Sequence, residues 1–369
     1  MANSGKWLEA HYRRLRPYIS PRYRRAFAQL TARGLSERHS GEPILCFDFQ
    51  NPTIDAVGGR YYFSLVRDAI DAGYFPVFTA RRATLSSFGT SRMKSILLKE
   101  RLGVIPSLQA LHEPYDLITD SQESADPNAK RMIKVDYTWR TAASPDEVEF
   151  PVFVHPQITT KVDLPYPYNV SEERPVRLFF GGNTEEGKYD KDVIRTLYGM
   201  LTRRDMLSVA TRVCPDLYRP THAETWLASD EKRSFVLCET QHCKIPPERW
   251  LDALAKADFF LACPGVGMPL CHNLIEALAA GTIPILQYAD YLPHPLTHGV
   301  NCLTFQDPGS LRDTIARLLT MDAEEILSLR TNVRAYHDAH LAPGRFLREL
   351  FCGSHPHQTL LLNAYRTPR

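Results

Sequence analysis

At 369 residues the chain exceeds a usual single core, so two domains are expected. Hydrophobic content of 44% and charged content of 23% are globular values, and a formal net charge of +2 lacks the basic field of a nucleic-acid binder. Eight cysteines without paired spacing, no apolar run of membrane-span length and no signal-like N-terminal segment predict reduced thiols and a cytoplasmic protein.

Residues 1–40 read as a basic segment. Leu8, Tyr12, Leu15 and Ile19 share one helical face, with Arg13, Arg14, Arg16, Arg22, Arg24 and Arg25 around it and Pro17 and Pro21 interrupting. Such a stretch suits either an anionic membrane surface or a helix packed on the first domain with snorkelling arginines, and the packed helix is preferred.

A first domain is expected over 41–165. It opens with a strand at 44–49, a loop holding Asn51, Asp55, Gly58 and Gly59, and a helix whose Phe63, Leu65, Val66, Ala69 and Ile70 suit packing on a parallel sheet. The run SSFGTSRMKSILLKERLG predicts a helix, 115–119 a strand, and 133–139 and 152–155 the sheet edge. His112, Asp116 and Asp120 read as solvated loop residues, with a place at the cleft as the alternative. The proline-rich PYPYNVSEERP reads as a linker.

A second domain is expected over 166–345. RLFFGGNTEEGKYDKDVIRTLYGML gives a strand, the pair Gly181 and Gly182, and a polar loop into a helix. Asp190 and Asp192 spell D-x-D, but their place at a helix start favours dipole capping. SFVLCE predicts a strand followed by the loop of Thr240, Gln241, His242 and Lys244. Cys238 with Cys243, and Cys263 with Cys271, are spaced too loosely for zinc, so no metal site is expected. Further on, Tyr288, Asp290, His298 and Asn301 follow the last strong strand, and residues 346–369 read as a helical segment.

The organising stretch is WLDALAKADFFLACPGVGMPLCHNLIEALAAGTIPILQY, residues 250–288. It predicts helix, buried strand, a loop of Pro264, Gly265, Gly267, Met268 and Pro269, a helix from Leu270 to Ala280 capped by Gly281, and a second buried strand. A strand, a glycine-containing loop and a helix N-terminus present free N–H groups and a favourable dipole to an anion. Glu276, two turns into that helix, is placed to accept hydrogen bonds from ribose hydroxyls.

FFLACPGVGMPLCHNLIEALAAGTIPIL resembles the donor-binding half of a GT-B glycosyltransferase, with an exostosin-like flavour, and the likeness is strongest over 177–319. Two departures stand out: Met268 occupies the place of the first glutamate of two-glutamate retaining members, and Gly265 directly follows Pro264 where exostosin-type chains carry Cys-Pro-Arg-Gly. The resemblance implies an α/β fold of two Rossmann-like domains facing a central cleft. It implies transfer of a sugar from a nucleotide-sugar donor, most simply a UDP- or GDP-sugar, to a hydroxyl of a saccharide or lipid-linked glycan in bacterial-type surface polysaccharide or glycan assembly.

It further implies a metal-independent donor site at Gly181, Gly182, Asn183, Lys188, His242, Gly265, Gly267, Met268, Pro269, Leu270, Cys271, His272, Asn273 and Glu276. Asn51, Gly58, Gly59 and Arg60 would border the acceptor, with Asp55 or Asp48 as general base. Retention or inversion stays open. A sugar-nucleotide epimerase of the same fold and a non-catalytic binding module are the alternatives.

Overall fold

The computed structural model describes residues 15, 17–51, 59–121, 126–138, 140–185, 187, 193–353 and 357–362. The chain divides into two compact units, 1–150 with 343–365, and 151–342 with 366–369. Each is built on a wholly parallel sheet, which gives two Rossmann-like units in one GT-B-like chain.

The first unit contains β1 (Ile44–Asp48), β2 (Phe75–Thr79), β3 (Gly103–Ile105), β4 (Tyr115–Thr119), β5 (Ala129–Asp136) and β6 (Glu147–Glu149). The second contains β7 (Val176–Gly182), β8 (Leu217–Tyr218), β9 (Arg233–Glu239), β10 (Ala257–Leu261), β11 (Ile283–Leu286) and β12 (Leu303–Thr304), after which β13 (His357–Leu361) joins the first sheet.

The first sheet runs β3-β2-β1-β4-β5-β13-β6. β1, β2 and β4 are buried at every residue, as parallel strands covered on both faces must be. Leu45 opposes Asp116 and Pro76, so β1 is the hinge of the strand order, with β2 on one side and β4 on the other. The helix Arg60–Asp71 lies over it and buries Tyr61, Tyr62, Phe63, Leu65, Val66 and Ala69.

The C-terminal return is held by one carboxylate. Asp68, buried in that helix, accepts from the backbone N–H groups of Gly344 (2.6 Å) and Leu347 (2.9 Å) at the start of the helix Arg345–Cys352. Gly344 sits at φ +73°, and a Cβ there would lie 2.4 Å from the backbone of Asp71 and Ala72. β13 then inserts between β5 and β6, so the last stretch is a helix followed by a strand rather than helix throughout.

Three further expectations are corrected. The run 86–103 forms two 3-10 turns, Ser87–Gly89 and Lys94–Lys99, and enters β3. Gly89 comes so close to the Pro21–Thr31 helix that a Cβ would lie 2.7 Å from the Arg22 carbonyl. Residues 152–155 are not a sheet edge, because the Phe153 carbonyl and the His155 N–H are taken by His272 and Glu276 of the second unit. The proline-rich run 165–175 lies inside the second unit: Tyr166 donates to Asp252, and Tyr168 packs under Gly281, where a Cβ would meet its ring at 2.1 Å.

The second sheet runs β12-β11-β10-β7-β9-β8. After β7 the chain builds outward to β8 and β9, then crosses to β10 on the other side, so the order reverses between β7 and β10. Ligands of open α/β sheets bind outside the carboxyl ends of strands at such a reversal.

Candidate functional site

The loops leaving β7 and β10 meet at this reversal, and one buried cation spans them. Arg203, the first residue of the helix Arg203–Val213, donates to the carbonyls of Asn183 (2.6 Å) and Pro264 (3.2 Å), and its guanidinium lies 5.6 Å from the Phe180 ring centre. Thr202 and Asp205 form a reciprocal capping box that fixes where this helix begins. The sequence reading passed over Arg203. The Thr202-x-x-Asp205 box marks the helix start, but Arg203 and Arg204 look like a solvated charged pair.

The loop after β10 turns at Gly265, whose N–H donates to the Pro269 carbonyl (3.1 Å) and where a Cβ would lie 2.7 Å from the Met268 carbonyl. Gly267 is exposed and Met268 half-buried, whereas Pro269 and Leu270 turn into the core. The helix that follows, His272–Ala279, has Cys271 at its N-cap and no side-chain hydrogen bond there. A thiol stands where a hydroxyl or carboxylate oxygen is usual; it donates to the Cys263 carbonyl (3.7 Å), and the Leu274 N–H bonds the Cys271 carbonyl (3.3 Å).

Glu276 is the polar centre of the unit, 3% exposed. One carboxylate oxygen accepts from the His155 N–H (3.1 Å) and the other from the Trp250 indole N–H (2.7 Å). Burial pushes its carboxyl up to about 7, against the pull of those two donors. Gly181 makes the arrangement possible: a Cβ there would lie 2.6 Å from the Trp250 ring, so the missing side chain is what lets the indole lie over the end of β7. The two glycines therefore differ in role, with Gly181 seating Trp250 and Gly182 leaving the strand toward Asn183.

His272 and Asn273 complete the first turn. The His272 Nδ1 lies 2.6 Å from the Phe153 carbonyl, which can only accept, so Nδ1 donates its proton there. Its ring meets that of His155 edge to face at 4.9 Å. Asn273 donates to the Gly181 carbonyl (3.3 Å), linking the helix to β7.

After β9, Thr240, Gln241, His242 and Lys244 are exposed. Thr184 donates to Glu239 (2.7 Å), and the Thr240 N–H bonds the Gly182 carbonyl (2.9 Å), so the loops after β7 and β9 brace each other. Tyr288 is buried, with its hydroxyl on the Ala262 carbonyl (3.0 Å). His298 and Asn301 bond within their own turn, through Thr304 and Thr297, and Asp290 is half-buried in the turn Ala289–Tyr291.

The opposite, amino-terminal edge of the sheet holds a pocket of about 590 Å³ lined by Arg174, Arg177, Arg233, Asp258, Ile326 and Arg330 among others. Asp258 binds Arg177 (3.0 Å) and Arg330, while Arg330 also donates to the carbonyls of Val170 (2.8 Å) and Glu172 (2.7 Å). These bonds fix the 170–175 segment.

In the first unit the reversal falls between β1 and β4. Asp48 ends β1 and is buried, accepting from Thr79 and from Arg81 (3.0 and 3.3 Å). Asp120 caps the next loop through the N–H groups of Gln50 (2.7 Å) and Asn51 (2.9 Å). Asp116, by contrast, lies within β4 and accepts from the Tyr74 hydroxyl (3.1 Å), and His112 is exposed. Gly59 opens the Arg60 helix at φ +85°, a conformation that glycine adopts without strain. Asp55, Gly58, Lys188, Asp190 and Asp192 lie outside the described residues.

Among the described residues no group of three His, Cys, Asp or Glu side chains could hold a metal ion, and no helix is long and apolar enough to cross a membrane. All eight cysteines are free thiols.

No protein-family model matches the chain, and no curated protein matches it. Solved structures do. Anabaena HepE in complex with UDP is 12% identical with a TM-score of 0.41, covering 84% of this chain and 99% of that one. A glycosyltransferase from Rickettsia africae is 11% identical with a TM-score of 0.44, covering 84% and 97%. HepE with UDP and glucose is 11% identical with a TM-score of 0.32. These are distant matches in fold.

Proposed function

We propose that the chain transfers a sugar from a UDP- or GDP-sugar to a hydroxyl of a saccharide or lipid-linked glycan, in glycan or surface polysaccharide assembly, without a metal. The observation that carries this reading is the reversal of the second sheet. There a helix start without a side-chain cap, a buried Arg203 and a buried Glu276 lie on consecutive strand-end elements.

A nucleoside diphosphate matches that order of groups. The leaving diphosphate gains negative charge as the glycosidic bond breaks, and fixed N–H dipoles with a guanidinium stabilise it without reorganising. Glu276 keeps a second lone pair on each oxygen for ribose hydroxyls. The exostosin-like character of 259–286 belongs to the same proposal and rests on residue pattern.

In the first unit, Asp55 and Asp48 are the carboxylates proposed to take the acceptor proton if the reaction inverts. Asp48 already accepts from Thr79 and Arg81 and keeps a lone pair on the oxygen that faces Arg81 alone.

The test is thermal stabilisation by UDP, GDP, ADP, CMP and TDP, then turnover of the matching nucleotide sugars with and without saccharide acceptors. Selective stabilisation by one nucleotide together with acceptor-dependent nucleotide release supports the proposal, since a ligand of the folded state raises its stability by mass action. Turnover of the donor alone would move the reading to an epimerase. Stabilisation by none of them would leave a non-catalytic module.

A further inference from the structure

We propose that residues 15–25 of the first unit form a docking surface for an anionic membrane. Leu15, Tyr18 and Ile19 are 54%, 54% and 55% exposed, and they supply half of the large apolar side chains exposed among the described residues. Their i, i+3, i+4 spacing on helical backbone puts them on one face. A soluble surface tolerates single exposed apolar residues; three on one face of five residues call for a cover.

The surrounding charge says what the cover is. Between Glu9 and Glu37 the chain carries seven arginines and no acidic residue, although its net charge is only +2, so the remainder is net acidic. Of the seven, Arg22, Arg24 and Arg25 are exposed on the following helix, Pro21–Thr31. An apolar face rimmed by arginines is the composition of a helix that lies in a lipid interface.

The patch is also held in place. The Pro21–Thr31 helix buries Ala26 and Leu30, and Arg82 stacks on Tyr18 (4.9 Å) and Phe27 (5.0 Å) while its Nε donates to the Pro17 carbonyl (3.4 Å). The packed-helix reading thus holds for 21–31, and the preceding turn is left presenting its apolar side chains. Nucleic acid would use the arginines but has no use for Leu15 and Ile19, so lipid is the partner that accounts for both.

The test is co-sedimentation of the whole protein with vesicles of phosphatidylcholine alone and of two parts phosphatidylcholine to one part phosphatidylglycerol. Binding is expected only to the anionic vesicles, and it should weaken as salt rises. Changing Arg22→Gln, Arg24→Gln and Arg25→Gln together should lower partitioning about a hundredfold at low salt, since each basic residue near such a surface contributes roughly a factor of five. Leu15→Ser with Ile19→Ser should also lower it while keeping the salt dependence. All five side chains are exposed, so an unchanged melting temperature checks that folding is intact. Absence of vesicle binding, equal binding to neutral vesicles, or indifference to both sets of changes would overturn the proposal. So would a dimer in solution that Ile19→Ser dissociates, because a second copy would then be the cover.

Discussion

Glu276 couples the second unit to pH, and the coupling tests both its burial and its assigned role. Its carboxyl is pushed up to about 7 by burial, from 4.5 in an unfolded chain. The folded state therefore holds this proton more tightly, and the stability that Glu276 contributes is fully present below about pH 4.5 and is lost as pH rises through about 7. At 1.36 kcal/mol per unit, the shift corresponds to a loss on the order of 3 kcal/mol across that window. The Trp250 indole N–H, 2.7 Å from one carboxylate oxygen, is the direct reporter. In protein made with nitrogen-labelled tryptophan, the indole resonance that Trp250→Phe removes should titrate with a midpoint near 7. Ribose hydroxyls donating to Glu276 would favour its ionised form. Nucleotide affinity should then rise with pH by at most about tenfold per unit and level off above the midpoint. An indole midpoint in the ordinary glutamate range would refute the burial argument. A midpoint near 7 with pH-independent nucleotide affinity would leave Glu276 buried but remove it from the ribose site.

Three further outcomes follow from single contacts. Gly181→Ala puts a methyl 2.6 Å from the Trp250 ring and 2.8 Å from that of Phe179, and chemical denaturation should show a loss of about 1–3 kcal/mol with Trp250 moved off Glu276. Asp68→Ala leaves the N–H groups of Gly344 and Leu347 without their acceptor, so amide exchange across β13 should quicken, consistent with about 1–3 kcal/mol of lost stability. Exchange unchanged in that variant would show that the return segment is held by its apolar packing instead. Arg330→Met strands Asp258 with Arg177 alone and frees two carbonyls of the 170–172 segment; denaturation should report a loss of about 3–5 kcal/mol.

The parts of the fold that could be read from sequence are those whose signal is local. β1, β2, β4, β7, β10 and β11 are short runs with apolar residues at most positions, because strands buried on both faces have no polar side to alternate with. Gly281 ends its helix in the left-handed region at φ +66°, where a side chain would be strained and would collide with Tyr168. The mistaken stretches depend on partners far along the chain. QTLLL, at 358–362, fits a strand or a helix turn equally until β5 and β6 supply its hydrogen bonds, and 152–155 looks like a strand until His272 and Glu276 claim its backbone.

The same division runs through the candidate site. Glycines, the loop after β10 and Glu276 stand out in the sequence because strand, loop and helix follow one another at a recognisable spacing. What each residue does there is settled by contacts the spacing does not encode. Gly181 reads only as one of two glycines after a strand, yet the room over it is filled by Trp250, whose indole donates to Glu276. Asp48 looked like a base at a strand end, yet Thr79 and Arg81 come from the neighbouring strand and the turn after it to occupy its oxygens. Arg203 gave no signal at all, since an arginine is read as solvated unless something buries it; here two loop carbonyls and the Phe180 ring do. In the proposed donor site this buried guanidinium, bonded to carbonyls at the sheet reversal, lies beside the helix start that would take the diphosphate. Arg203→Met should therefore weaken nucleotide binding more than Lys244→Met, an exposed cation in the loop after β9. Equal effects of the two changes would mean that the diphosphate is held by surface charge, and the reversal of the second sheet would lose its claim to be the donor site.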